Sequence, residues 1–226
     1  MVPGDSSSIF IGVLLIGLFI LYLVRENNAV KRRSDALHTL AKEKGYSYEA
    51  YDKSNERLHR KYKLFHYFNV GRLRHSSNII RFTGEDCSIT VFDYTCTTGV
   101  GKNSHPRTST NIIIYQESRH YPHFFIRRET PGFDRIDKMF GMQDITIDAN
   151  DDFSKSFVLQ GQDEEKIRRF FSDSGRCTPF LIFAKRNITF EAKGSYFRYQ
   201  HLGRMTVEEF SRTVQQVQEL VALLPT

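Results

Sequence analysis

Residues 9–24, IFIGVLLIGLFILYLV, form an unbroken apolar run, and the polar–apolar pattern changes character on either side of it. A surface helix would show a polar stripe, and this run has none on any face. Over 26–44, Val30, Leu37, Leu40 and Ala41 recur at helical spacing among charges, and Gly45 supplies a stop. From Tyr46 the period shortens. Runs rich in Phe, Ile, Tyr and Val, separated by Gly, Pro, Asn, Asp and Ser, predict strands at 64–70, 78–82, 88–97, 109–116, 124–128, 156–159, 180–183, 188–192 and 196–201. In the third of these, Ile89, Val91 and Asp93 share one face, and Phe92, Tyr94 and Cys96 share the other. Apolar residues on both faces predict a central strand covered on both sides. It leads through the loop residues 98–108 into the next strand, giving a long hairpin. Residues 163–171 predict a short helix with acids first and bases last. At the end, Thr206 and Glu209 form a capping-box pattern that opens a helix striped by Val207, Phe210, Val214, Val217, Leu220, Val221 and Leu224.

Strands mostly follow strands rather than alternating with helices, so the fold class expected is α+β with a mainly antiparallel sheet. The expected order is an N-terminal transmembrane helix, a juxtamembrane helix, the sheet domain and a C-terminal packing helix. The boundaries read as 1–8, a short extracytoplasmic N-terminus; 9–24, a transmembrane anchor; 25–45, a basic juxtamembrane helix; and 46–226, a soluble α+β domain.

Sixteen helical residues span about 24 Å, and adding Ser6–Ser8 gives about 28 Å, close to the roughly 30 Å hydrocarbon core. A cleaved signal peptide would need a basic start and a small-x-small cleavage site. MVPGDSSS carries no Lys or Arg, and LYLVRE offers no small pair, so an uncleaved anchor is expected. The flanks set its orientation. Arg25, Lys31, Arg32, Arg33, Lys42 and Lys44 all follow the run, which places the large domain in the cytoplasm, the N-terminus outside and the protein in the inner (plasma) membrane.

Charge and cysteine usage narrow the picture further. The net charge of +6 is diffuse, with acids interleaved among the bases. That suits a surface beside anionic lipid headgroups and argues against a nucleic-acid partner. The three cysteines, Cys87, Cys96 and Cys177, form no Cys-x-x-Cys and no disulfide framework, consistent with a reducing compartment.

Candidate chemistry is sparse. Gly99-Val-Gly-Lys102 lacks the spacing of a phosphate loop and precedes a strand rather than a helix. It reads as a hairpin tip whose Lys102, His105 and Arg107 could contact lipid headgroups or a partner protein, as could Lys31, Arg32 and Arg33. Asp144, Asp148, Asp151 and Asp152 fail the EF-hand pattern, since Phe153 and Leu159 stand where its Gly and Glu belong. The eight histidines show no zinc spacing, so no metal or cofactor is expected. Asp93 is the polar residue of interest. A carboxylate in mid-strand among apolar neighbours needs partners, either structural ones or those of a pocket.

Four segments together resemble a family of uncharacterised bacterial single-pass membrane-anchored proteins. They are Leu37-His-Thr-Leu-Ala41; Val91-Phe-Asp-Tyr94 running into Gly99-Val-Gly-Lys102; Phe124–Glu129, an LRPE-like strand end in which Arg128 replaces the expected Pro; and Gln143–Asp148 leading to Phe153-Ser154. The resemblance covers most of the chain after the anchor. It implies an architecture and a bacterial origin, and no activity. The functional expectation is a membrane-anchored cytoplasmic interaction or structural module, with the bilayer and another membrane or cytoplasmic protein as partners. The alternatives are an enzyme at the membrane surface with a pocket near Asp93, and an anionic-lipid-binding domain.

Overall fold

The computed structural model describes residues 6–54, 56–128 and 143–225. Residues 1–5 of the expected N-terminal stretch and Glu129 of the LRPE-like segment lie outside them. Helix α1, Ser6–Glu43, joins the apolar run and the basic segment into one 38-residue helix about 57 Å long. From Ile11 to Val24 its large apolar side chains are 44–64 % exposed, so nothing in the described chain covers them. Among the described residues it is the one helix long and apolar enough to cross a membrane. It stops where expected: Gly45 takes a φ of +70°, and the Gly45 and Tyr46 N–H groups donate to the Lys42 and Ala41 carbonyls.

The rest is a sheet with both faces covered. Its strands are β1 (Ser47–Tyr51), β2 (Arg72–Thr83), β3 (Ser88–Thr98), β4 (His105–Tyr115), β5 (Tyr121–Arg128), β6 (Gln143–Ile145), β7 (Phe157–Gly161), β8 (Ile188–Gly194) and β9 (Tyr196–Leu202). Among the described residues they pair antiparallel in the order β1-β2-β3-β4-β9-β8-β5-β7-β6. Short helices α2 (Arg57–Tyr62), α3 (Asp151–Ser156), α4 (Glu164–Phe170) and α5 (Ser174–Cys177) connect them, and α6 (Val207–Leu223) closes the chain.

The alternation in β3 explains the two layers. Ile89 and Val91 face a large core shared with Leu37 and Ala41 of α1 and with Phe210, Val217 and Val221 of α6. Phe92, Tyr94 and Cys96 face a second, aromatic core with Leu58, Tyr62, Phe65 and Phe68. The α6 stripe is buried from Phe210 onward, and Thr206 and Glu209 form the capping box.

Two predicted strands are not strands. Residues 64–70 hold a 3₁₀ turn at His66–Asn69, and 180–183 fall in another at Thr178–Phe183. Phe65 and Phe68 enter the same core, and so do Phe180 and Phe183. A spacing of three puts both rings on one side of a 3₁₀ turn and on opposite sides of a strand. Conversely, β1 has no predicted counterpart, and β2 begins well before residue 78.

Candidate functional site

Asp93 lies midway along the interior strand β3, opposite Ser77 of β2 and Thr110 of β4. Above it passes α1. Arg33 places Nη1 2.5 Å from Asp93 Oδ2 and Nη2 3.1 Å from Oδ1, a two-pronged guanidinium–carboxylate pair. Its Nε donates to the Met205 carbonyl at 2.6 Å, just ahead of α6. The carboxylate also accepts from Asn78 Nδ2 at 2.9 Å and Thr110 Oγ1 at 2.7 Å.

Asn78 reaches it because the chain bulges there. Its φ is +50°, at a register shift between Ser77 and Ile80. Tyr48 donates to Asn78 Oδ1, and the Met205 N–H donates to Thr110 Oγ1. Burial, with Asp35 and Asp93 nearby, raises the Tyr48 phenol above its ordinary value, so it remains a donor. Both carboxylate oxygens of Asp93 are thus engaged, and the side chain is 2 % exposed. No ligand reaches Asp93 unless Arg33 leaves. The arrangement clasps α1, the sheet and the start of α6 together, and the anticipated pocket at Asp93 is filled by Arg33.

A second buried polar group lies across β8 and β9. Glu191 and Arg198 are register partners, both fully buried, with Nη2 and Oε2 3.1 Å apart. Arg198 Nη1 also donates to Gln200 and Asn111, and its guanidinium lies under Phe65, Tyr67 and Phe68 at 5.2–5.7 Å from the ring centres. The His66 N–H donates to Glu191 Oε1 at 2.8 Å, and His123 Nε2 lies 3.2 Å from the same oxygen. Burial alone would push the Glu191 carboxyl up. The His123 contact, Arg198 and the His66 N–H outweigh it and hold the carboxyl below its ordinary range. Burial pushes the His66 imidazole down.

His66, His123 and Glu191 bring three potential ligand atoms within 4.8 Å of one another, a donor set suited to a divalent transition metal. Arg198 already neutralises the carboxylate, so a cation there would face a guanidinium across it. The group fits a buried structural network better than a metal centre.

The remaining predicted residues lie at the surface. Lys31 and Arg32 are exposed on α1, whereas Arg33, the next residue, turns inward. Lys102, His105 and Arg107 are exposed around the β3–β4 turn. Burial raises the Cys96 thiol and pushes the Cys177 thiol up to about 11, which argues against either as a nucleophile.

Sequence reasoning missed Asn78, Glu191 and Arg198. The last two carried a readable signal, since each is a charge set between apolar neighbours in a strand-like run, as Asp93 is. Asn78 carried none, because its role depends on the bulge.

No family model matches this chain, and no curated protein does. Among solved structures it is similar to the crystal structure of the mycobacterial trehalose monomycolate transport factor A, TtfA. The identity is 15 % and the TM-score 0.57, over 86 % of this chain and 95 % of that one. At that identity the likeness is one of fold.

Proposed function

We propose that this protein is a membrane-anchored interaction module: α1 crosses the bilayer, and the sheet domain stands at the cytoplasmic surface to engage another protein. The observation that carries this reading is α1 itself. One half of it is uncovered and apolar, and the other half is clasped into the domain through Arg33 and Asp93. Such a helix has no role in the described core beyond its second half, and it holds the domain firmly to whatever its first half occupies. The basic residues after the apolar run favour a cytoplasmic domain.

The fold neighbour is a transport factor. That supports the further reading that the partner is a membrane transport system, for which this domain is an accessory rather than the catalyst. The two buried polar groups fit that reading, because each is built around an ion pair closed within the described residues.

Three experiments test it. Full-length protein is expected to stay with membranes after a carbonate wash, and a C-terminal alkaline phosphatase fusion is expected to be inactive. Release by carbonate would refute the anchor, and an active fusion would refute the orientation. Crosslinking in cells with full-length protein is then expected to capture an integral membrane protein.

A further inference from the structure

We propose that the end of the sheet formed by the start of β2 and the β3–β4 turn is a second membrane contact, a basic and apolar tip seated on anionic lipid headgroups beside α1. The proposal rests on the anchored reading above.

Outside α1, Leu73 and Val100 are the most exposed large apolar side chains of the described residues, at 80 % and 79 %. They lie at the same end of the sheet: Arg72 pairs with Thr97, and its Nη2 donates to the Gly99 carbonyl. Leu73 holds a φ of +50°, a left-handed backbone that leucine rarely adopts, at a register shift between Arg72 and His75. Strained backbone of this kind concentrates at functional sites. Arg72 and Lys102 are exposed next to them in the chain and Arg107 is exposed on the same hairpin, while the half-buried Arg74 donates to the Asn69 carbonyl; residues 70–78 and 97–108 contain no acid at all. Two apolar side chains projecting from two basic, acid-free segments match the chemistry of an anionic bilayer interface.

The path of α1 places this tip on the membrane side. Leu40 lines a hollow with Tyr46 and Phe82. His38 stacks on Tyr48, which pairs with Ile80. Arg33 reaches Asp93, opposite Ser77. As α1 runs back toward its apolar half, it therefore follows β2 from Phe82 toward Arg72. From Arg33 to Val24 the helix advances about 14 Å. From Asp93 to Thr98, where β3 ends just short of Val100, the strand advances about 17 Å, and from Ser77 to Leu73 about 13 Å. The tip thus reaches the level at which the apolar run begins.

The test uses full-length protein in vesicles of phosphatidylcholine alone or with phosphatidylglycerol. Cys87→Ser removes the half-buried thiol, and a fluorophore is placed at Leu21→Cys, Val100→Cys or Ser118→Cys. Lipids with brominated acyl chains report contact with the bilayer. Residue 118 follows β4 at the opposite end of the sheet. The expected result is loss of emission at 21 in both lipids, loss at 100 in the anionic vesicles, and none at 118. Arg72→Glu with Lys102→Glu should restore emission at 100 and leave 21 quenched. Emission kept at 100 while 21 is quenched, or quenching at 100 indifferent to anionic lipid, overturns the tip contact and leaves Leu73 and Val100 to a protein partner. Emission kept at 21 overturns the anchored reading instead.

Discussion

Arg33 and Asp93 stand sixty positions apart in the chain and share an ion pair that joins α1 to the sheet. Their side chains are 14 % and 2 % exposed, so removing either partner leaves charge in a largely dry site. Arg33→Ala should cost about 3 kcal/mol of stability in the full-length protein, read from denaturant unfolding in micelles. Asp93→Asn should cost a similar amount, and the double variant clearly less than the sum. Additive losses would mean that the two residues do not act as a pair.

A different group sets the response to acid. Burial pushes His59 and His66 down, which favours their neutral forms in the folded protein. Their contribution is complete above about pH 6.5 and is lost as the pH falls through their folded values. The Glu191 carboxyl is also held low, so its contribution is lost only below about pH 4.3. The melting temperature should therefore fall in two stages on acidification, and His59→Gln with His66→Gln should flatten the first. A melting temperature constant down to about pH 5 would contradict this.

At this scale the sequence is half-legible. Asp93 stands out as a charge among apolar neighbours. Nothing in Lys31-Arg32-Arg33 tells which base turns inward, because that depends on how α1 docks.

Among the elements, those with a repeating pattern were readable. The alternation through 88–96 predicted β3, both its covered faces and its place inside the sheet, and the α6 stripe with its Thr206–Glu209 start predicted the last helix to within a residue or two. Thr206→Ala removes the side-chain acceptor of the Glu209 N–H and should cost about 1 kcal/mol, measurable as a lower denaturation midpoint. No change would mean that the α6 start is held by packing alone. The elements misread are the aromatic 3₁₀ turns. Their composition is that of strands, and only the spacing of Phe65 to Phe68 and of Phe180 to Phe183 distinguishes them. β1 was overlooked for the opposite reason: Ser47, Glu49 and Ala50 give a short edge strand little β-forming composition, and pairing with β2 creates it.

For the whole molecule, the apolar run and the two-faced sheet together dictate a domain with a tail that the domain itself does not cover. That much follows from hydrophobic patterning. The strand order, with β9 and β8 inserted between β4 and β5, does not, because it depends on pairings among segments far apart in the chain.

The unbroken course of α1 has a consequence of its own. An α-helix turns about 100° per residue, so without a kink or hinge the azimuth of each face of the apolar half is geared to the azimuth of the domain. A partner gripping one side of that half in the bilayer would thereby select which side of the sheet faces it. One alanine inserted between Val24 and Lys31 should swing the domain by about 100° and abolish capture of the partner. Seven alanines, about two turns, should restore the angle and the capture while lifting the domain about 10 Å. Equal capture by both variants would show that the helix acts as a leash rather than a drive shaft.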